Sequence, residues 1–279
     1  MSVLQLLLPA FAAGLVLTGM LSYLGLHVVE RGVIFVDLSL AQIAALGATI
    51  GVLFGHDIHS TAAYLFSLGF TFLGAAVFAF SRVHRKTRIP QEAIIGIAYA
   101  VAAAAAILAM SKVSGETEHL KEMLVGNILS VSWPELARTA ALYLVIGVVH
   151  WLLRKKFLLI SLDEHEGERQ GLSIRFWDFV FYVSFGFVVT SSVPIAGVLL
   201  VFSYLIVPAV SAMLFSERLG PRLAIGWSMG AVVTAIGVYF SYMFDLPTGA
   251  TIVTSLGAAL VLLAGLRGLL GRGRSTART

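Results

Sequence analysis

Asp37, Ser39, Gln42 and Thr49 are the only polar side chains in the run from Val33 to Phe54. A carboxylate inside a membrane helix is costly, about 3 kcal/mol at its centre on insertion scales, so Asp37, four residues into this run, asks for a reason. Carboxylate oxygen is a good donor for divalent first-row metals, and amide oxygen is a weaker one. Spacing limits what these residues can do together. Asp37 and Gln42 stand about 140° apart on a regular helix and share no face. Asp37 aligns instead with Ala41, Ala44, Ala48 and Gly51, a small-residue stripe suited to close contact with another helix. Gln42 aligns with Ser39 and Thr49. Two readings stay open for Asp37: an acid lining a cation path, or a structural acid paired with Arg31 or a neighbouring helix. Gln42 has the same two, a path-lining amide or an interhelical hydrogen bond.

Other groups could meet a cation outside the apolar runs. His56, Asp57 and His59 form a compact set of three potential ligands, and Glu116, Glu118, His119 and Glu122 lie together in a longer connection. Each set reads either as an outer capture surface or as ordinary loop polarity. Asp245, before Pro247 and Gly249, is a path acid or else a turn or N-cap for the last helix. Glu92 opens a helix, where a carboxylate favours the positive end of the dipole. There is no Walker motif, no His-Glu-x-x-His and no Gly-x-Ser-x-Gly, and no nucleophile–base set suggests an enzyme. With no cysteine, thiolate metal sites and disulfides are excluded.

The elements that must hold these residues are membrane helices. The chain is 58% hydrophobic and 12% charged, with a mean hydropathy of +0.93, which suits lipid and not a water-soluble core. Spans of about 20 residues fit near 3–26, 33–54, 61–81, 91–111, 136–153, 176–193, 195–216, 223–244 and 249–270. The fold class is therefore all-α and polytopic, with about nine spans. Eight is the alternative, because only Pro194 divides 176–216, with Pro208 interrupting the second part. The N-terminal run is read as the first span and not as a cleaved signal. With nine spans one side holds all of the 19 Lys and Arg except Lys112, Lys121 and Arg138. That places the N-terminus outside and the C-terminus in the cytoplasm. Met123–Val131 reads as a short re-entrant or interfacial helix. Residues 1–271 form one membrane domain and 272–279 a disordered cytoplasmic tail.

Several passages resemble the metal-ion permease family of ABC transporters. Asp163-Glu-His-Glu-Gly-Glu-Arg-Gln-Gly171 is similar to its cytoplasmic coupling segment, with Gly167 where alanine is usual. Gly197 to Ala212, containing Pro208, resembles a family helix, and Ser241 to Val253, containing Asp245, Pro247 and Gly249, resembles the passage before the last span. Glu92 to Tyr99 and Leu124 to Ser132 also fit. The resemblance implies the membrane subunit of an ABC importer for zinc, manganese or iron in a prokaryotic inner membrane, with no resident cofactor. The metal is then cargo moved by alternating access. Its implied partners are a separate ATPase docking at Asp163, Gly167 and Gly171, an extracytoplasmic metal-binding protein and a second permease copy; the surface is lipid, not nucleic acid. In the family an aspartate and a histidine four residues apart on the second span ligate metal. Here Gln42 stands at the histidine and Asp37 lies one residue early, so an organic cargo such as a metal chelate or vitamin is the alternative. A channel or secondary transporter working without ATP is a third.

Overall fold

The structure, a computed structural model, describes residues 3–58, 60–81, 89–111 and 128–275. Among these residues every regular element is helical and no strand occurs. The order is α1 Val3–Glu30, α2 Val36–Leu53, α3 Thr61–Ser81, α4 Gln91–Met110, a 3-10 turn Ile128–Ser130, α5 Trp133–Leu162, α6 Glu164–Arg169, α7 Ile174–Met213, α8 Leu219–Phe244 and α9 Thr248–Ser275. Among the described residues eight helices, all but α6, are long and apolar enough to cross a membrane. The all-α polytopic class expected from composition is the one observed. The final helix continues past residue 271, where the sequence suggests a tail. Of the re-entrant segment only the 3-10 turn and Val131 are described, since 112–127 lie outside.

The sequence divides 176–216 at Pro194, whereas the chain breaks at Gly197. All of Ile174–Met213 forms one 40-residue helical run whose single non-helical residue is Gly197, at φ 75 and ψ 158. Unbroken, such a helix would be about 60 Å long, twice the hydrocarbon thickness. Proline removes one hydrogen bond but keeps a helical φ. Only glycine readily takes the conformation found at 197, so the change of direction moves three residues on. Whether the spans number eight or nine turns on this residue.

The helices cluster into two compact units. One contains residues 1–26, 125–140 and 195–279. In it Gly25 of α1 lies so close to the Leu205 carbonyl of α7 that a Cβ could not fit, and Gly230 of α8 packs tightly on the Thr18 side chain. Hydroxyl and indole groups tie the same helices: Tyr204 Oη and Thr234 Oγ1 are 2.7 Å apart, and Trp227 Nε1 donates to the Gly19 carbonyl at 2.9 Å. Small residues and interhelical hydrogen bonds are what hold helices together where lipid is as apolar as the core.

The other unit contains residues 27–124 and 141–194. Here α2 packs on α3 and α4. Two members of the small-residue stripe meet α3: the Ala44 carbonyl accepts from Ser67 Oγ at 2.9 Å, and Gly51 backs onto Ala63. Phe78, Phe157, Phe181, Tyr182 and Phe185 are fully buried and form an aromatic core. On α4 and α5 large apolar side chains such as Val101, Leu108, Leu144 and Leu152 point outward, which lipid accommodates and water would not.

Gly197→Ala should lower the unfolding midpoint of the detergent-purified protein by a strain worth about 1–3 kcal/mol. Pro194→Ala should cost less. The reverse order would put the hinge on the proline.

Candidate functional site

The start of α2 is fixed by an exact turn geometry from α1. Gly32 has φ +66, its N–H reaches the Val29 carbonyl at 3.1 Å, and the Val33 N–H reaches Val28 at 3.2 Å. This is the Schellman closure of a helix, with Arg31 as the last capping residue. Phe35 then caps α2, and its N–H donates to Glu92 Oε1 at 3.1 Å. Glu92 therefore places its carboxylate at the N-terminus of α2 as well as in the first turn of α4, and its Oε2 is buried without a hydrogen bond.

Asp37 occupies the first turn of α2 and is 0% exposed. Neither of its carboxylate oxygens accepts a hydrogen bond among the described residues. Ser39 is equally buried, and its Oγ is also without a partner. The α2 dipole favours a negative charge at this end by at most about 2 kcal/mol, which is less than the several kcal/mol that desolvating an ion costs. The position thus offers a buried carboxyl group whose charge, once ionised, the described residues do not neutralise.

Arg31 does not pair with Asp37. Its Nη1 donates to Asp178 Oδ1 at 2.6 Å and its Nε to Ser161 Oγ at 2.8 Å, with the guanidinium 4.1 Å above the Phe181 ring. The Arg31 and Asp178 side chains are 1% and 0% exposed. His27 Nδ1 lies 2.8 Å from the same Ser161 Oγ, and His150 Nε2 lies 2.7 Å from Ser184 Oγ. Sequence reading missed this network. The available signal was two charges of opposite sign, Arg31 and Asp178, each at the edge of a long apolar run. The structural reading of Asp37 as the partner of Arg31 is accordingly replaced by Asp178.

The remaining candidates are dispersed. Gln42 is half-buried and makes no hydrogen bond among the described residues. His56 and Asp57 are exposed after α2, while His59, Glu118 and His119 lie outside the described residues. Asp245 is exposed and caps the end of α8 in the left-handed conformation, φ 50 and ψ 47, so it does not cap α9. No three His, Asp or Glu side chains among the described residues gather as a metal-holding group.

Around α6 the pattern is regular. Asp163 caps the helix through its side chain, accepting the Glu166 N–H at 3.0 Å. Gly167 is buried against Ile160 and Ile174, and Gly171 has φ +77. The Leu172 N–H closes on the Gly167 carbonyl at 3.0 Å and the Gly171 N–H on Glu168 at 2.9 Å, a second Schellman end. Glu168 and Leu172 to Arg175 line an open cavity of about 370 Å³ beside it.

Residues 3–266 match the model of the ABC 3 transport family. The chain belongs to that family. Among its ABC 3 relatives is the manganese transport system membrane protein MntC of Listeria monocytogenes, 31% identical over 196 residues that cover 68% of this chain and 69% of the relative. The chelated iron transport system membrane protein YfeC of Yersinia pestis is 27% identical, with 74% and 72% covered. The ABC 3 fold is shared with PsaBC from Streptococcus pneumoniae, solved in complex with Fab, at a TM-score of 0.78, 22% identity and 93% and 92% coverage. This ABC 3 chain is thus a multi-pass membrane permease of an ABC transport system.

Unfolding in detergent separates the two buried aspartates. Asp178→Ala should cost about 3–5 kcal/mol, because it strands the Arg31 charge. Asp37→Asn should be neutral or stabilising, because it removes an unpaired anion. A comparable loss at Asp37 would make it a structural acid.

Proposed function

We propose that this chain is the membrane subunit of an ATP-driven importer of divalent metal ions, manganese, zinc or iron. The observation that carries the reading is Asp37: a fully buried carboxylate with no hydrogen-bond partner among the described residues, on a membrane helix of an ABC 3 chain. A passing cation would supply the charge the fold withholds. Ser39 and Gln42 lie on other faces of the same helix and do not share a coordination site with Asp37. A station built on a single carboxylate holds an ion loosely, which suits release better than storage. The MntC relative is named for manganese transport, in keeping with this class of cargo.

In this reading ATP is hydrolysed on a separate chain that docks on Asp163, Gly167 and Gly171, at the rigidly capped α6. That segment and the basic majority of the charged loops face the cytoplasm, and Asp245 lies toward the outside. An extracytoplasmic binding protein delivers the metal, and a second permease copy completes the path. Transport follows alternating access, with the cation passing the α2 carboxylate between the two openings. His56, Asp57, His59, Glu118 and His119 serve as outer capture residues.

A chelated ion is the second reading. It is favoured by the half-buried, unbonded amide of Gln42 where a histidine ligand is usual, and by the YfeC relative, which is named for chelated iron.

Vesicles containing the chain with its co-purified ATPase should accumulate free Mn²⁺, Zn²⁺ or Fe²⁺ when energised with ATP. Uptake only of a chelated metal would favour the second reading, and uptake of neither would remove both. Gly171→Val adds about 1–2 kcal/mol of left-handed strain at the end of α6. It should abolish ATPase co-purification, and retained co-purification with normal accumulation would move the docking site elsewhere.

A further inference from the structure

The buried network around Arg31 joins two segments that the transport cycle must connect. Ser161 is in the last turn of α5, two residues before the Asp163 cap of α6, and Asp178 is in the second turn of α7, just after it. A single guanidinium thus holds the chain on both sides of α6: Nε on Ser161 at 2.8 Å and Nη1 on Asp178 at 2.6 Å. The stretch between these two anchors is itself stiff. A six-residue helix has no stability of its own, and α6 is held by its Asp163 cap, its Schellman end and the Gly167 contacts with Ile160 and Ile174. Displacing α6 therefore displaces Ser161 and Asp178.

On its other side Arg31 leads directly to the candidate path acid. It caps α1, and the short turn between it and Asp37 is held by backbone bonds from Arg31 to His27, Gly32 to Val29, Val33 to Val28 and Val36 to Val33. The guanidinium is planar and forked, so its two bonds fix an orientation as well as a distance, and the Phe181 ring 4.1 Å away closes one of its faces. An apolar pair of similar shape would fill this space as well. A buried ion pair with a hydroxyl partner instead gives a connection that is directional and can switch between discrete arrangements.

We propose that Arg31 is the positioning residue through which movement of the α6 segment is passed to the Asp37 end of α2, coupling ATP hydrolysis to ion movement. This rests on the reading of α6 as the ATPase-docking segment. Arg31 touches neither nucleotide nor cargo. It sets where α2 begins according to where α6 stands.

The test uses the whole complex, the chain with its co-purified ATPase, in vesicles where Mn²⁺ uptake and ATP hydrolysis are measured together. Two variants avoid leaving a lone buried ion: the neutral pair Arg31→Gln with Asp178→Asn, and Ser161→Ala. Both should assemble with the ATPase and hydrolyse ATP, while Mn²⁺ taken up per ATP falls about ten-fold in the neutral pair and by a smaller factor in Ser161→Ala, as losses of coupling of usual size do. Arg31→Lys, which keeps the charge but not the fork, should fall between the wild type and the neutral pair. A neutral pair that carries the wild-type amount of metal per ATP would overturn the proposal. So would uptake and hydrolysis falling in step in both altered complexes, the signature of a merely structural role. A wild-type chain that transports Mn²⁺ without any associated ATPase would overturn the docking reading, and the coupling with it.

Discussion

Lipid offers no partner to a buried charge, so each one must be neutralised by the protein or left for something that passes through. The two fully buried aspartates of one helical unit show both outcomes. Asp178 meets Arg31 at 2.6 Å, with Ser161, His27 and Phe181 completing the surroundings. Neither oxygen of Asp37 accepts a hydrogen bond among the described residues. The same fold that satisfies one acid at the ends of α5 and α7 withholds a partner from the other on α2. Arg31 lies only six residues from Asp37, yet it turns to Asp178 instead.

The surrounding architecture is one of stiff helices that meet at a few defined points. Glycine contacts bring backbones together: Gly25 on Leu205 in one unit, Gly51 on Ala63 in the other. Schellman closures at Gly32 and Gly171 end helices sharply and leave no slack on either side of the Arg31 network. Gly197 divides the longest helix with one non-helical residue. Rigid helices joined at a few defined points are what alternating access requires, since small shifts must be passed on whole and not absorbed.

Much of this was legible in the sequence because lipid imposes a length and a polarity on each element. Apolar runs located the long helices, and the Asp163–Gly171 passage that resembles the family's coupling segment contains α6. The burial of Asp37 also followed from its setting. Its lack of a partner did not, because that depends on where Arg31 turns, and the pair it forms spans 147 positions of the chain. Glu92 looked like the first-turn acid of its own helix, yet it caps α2 through Phe35. The break at Gly197 was misplaced to Pro194, since proline is the stronger breaker in solution while glycine alone can adopt the backbone angles found here.

The central claim is that the Asp37 charge is left unpaired for a transported cation. Its most direct test is ATP-driven Mn²⁺ uptake by vesicles containing wild-type, Asp37→Glu or Asp37→Asn chain at matched amounts of folded complex. Uptake should collapse in Asp37→Asn, which keeps the shape without the charge, and be partly retained in Asp37→Glu. Full uptake by Asp37→Asn would contradict the claim.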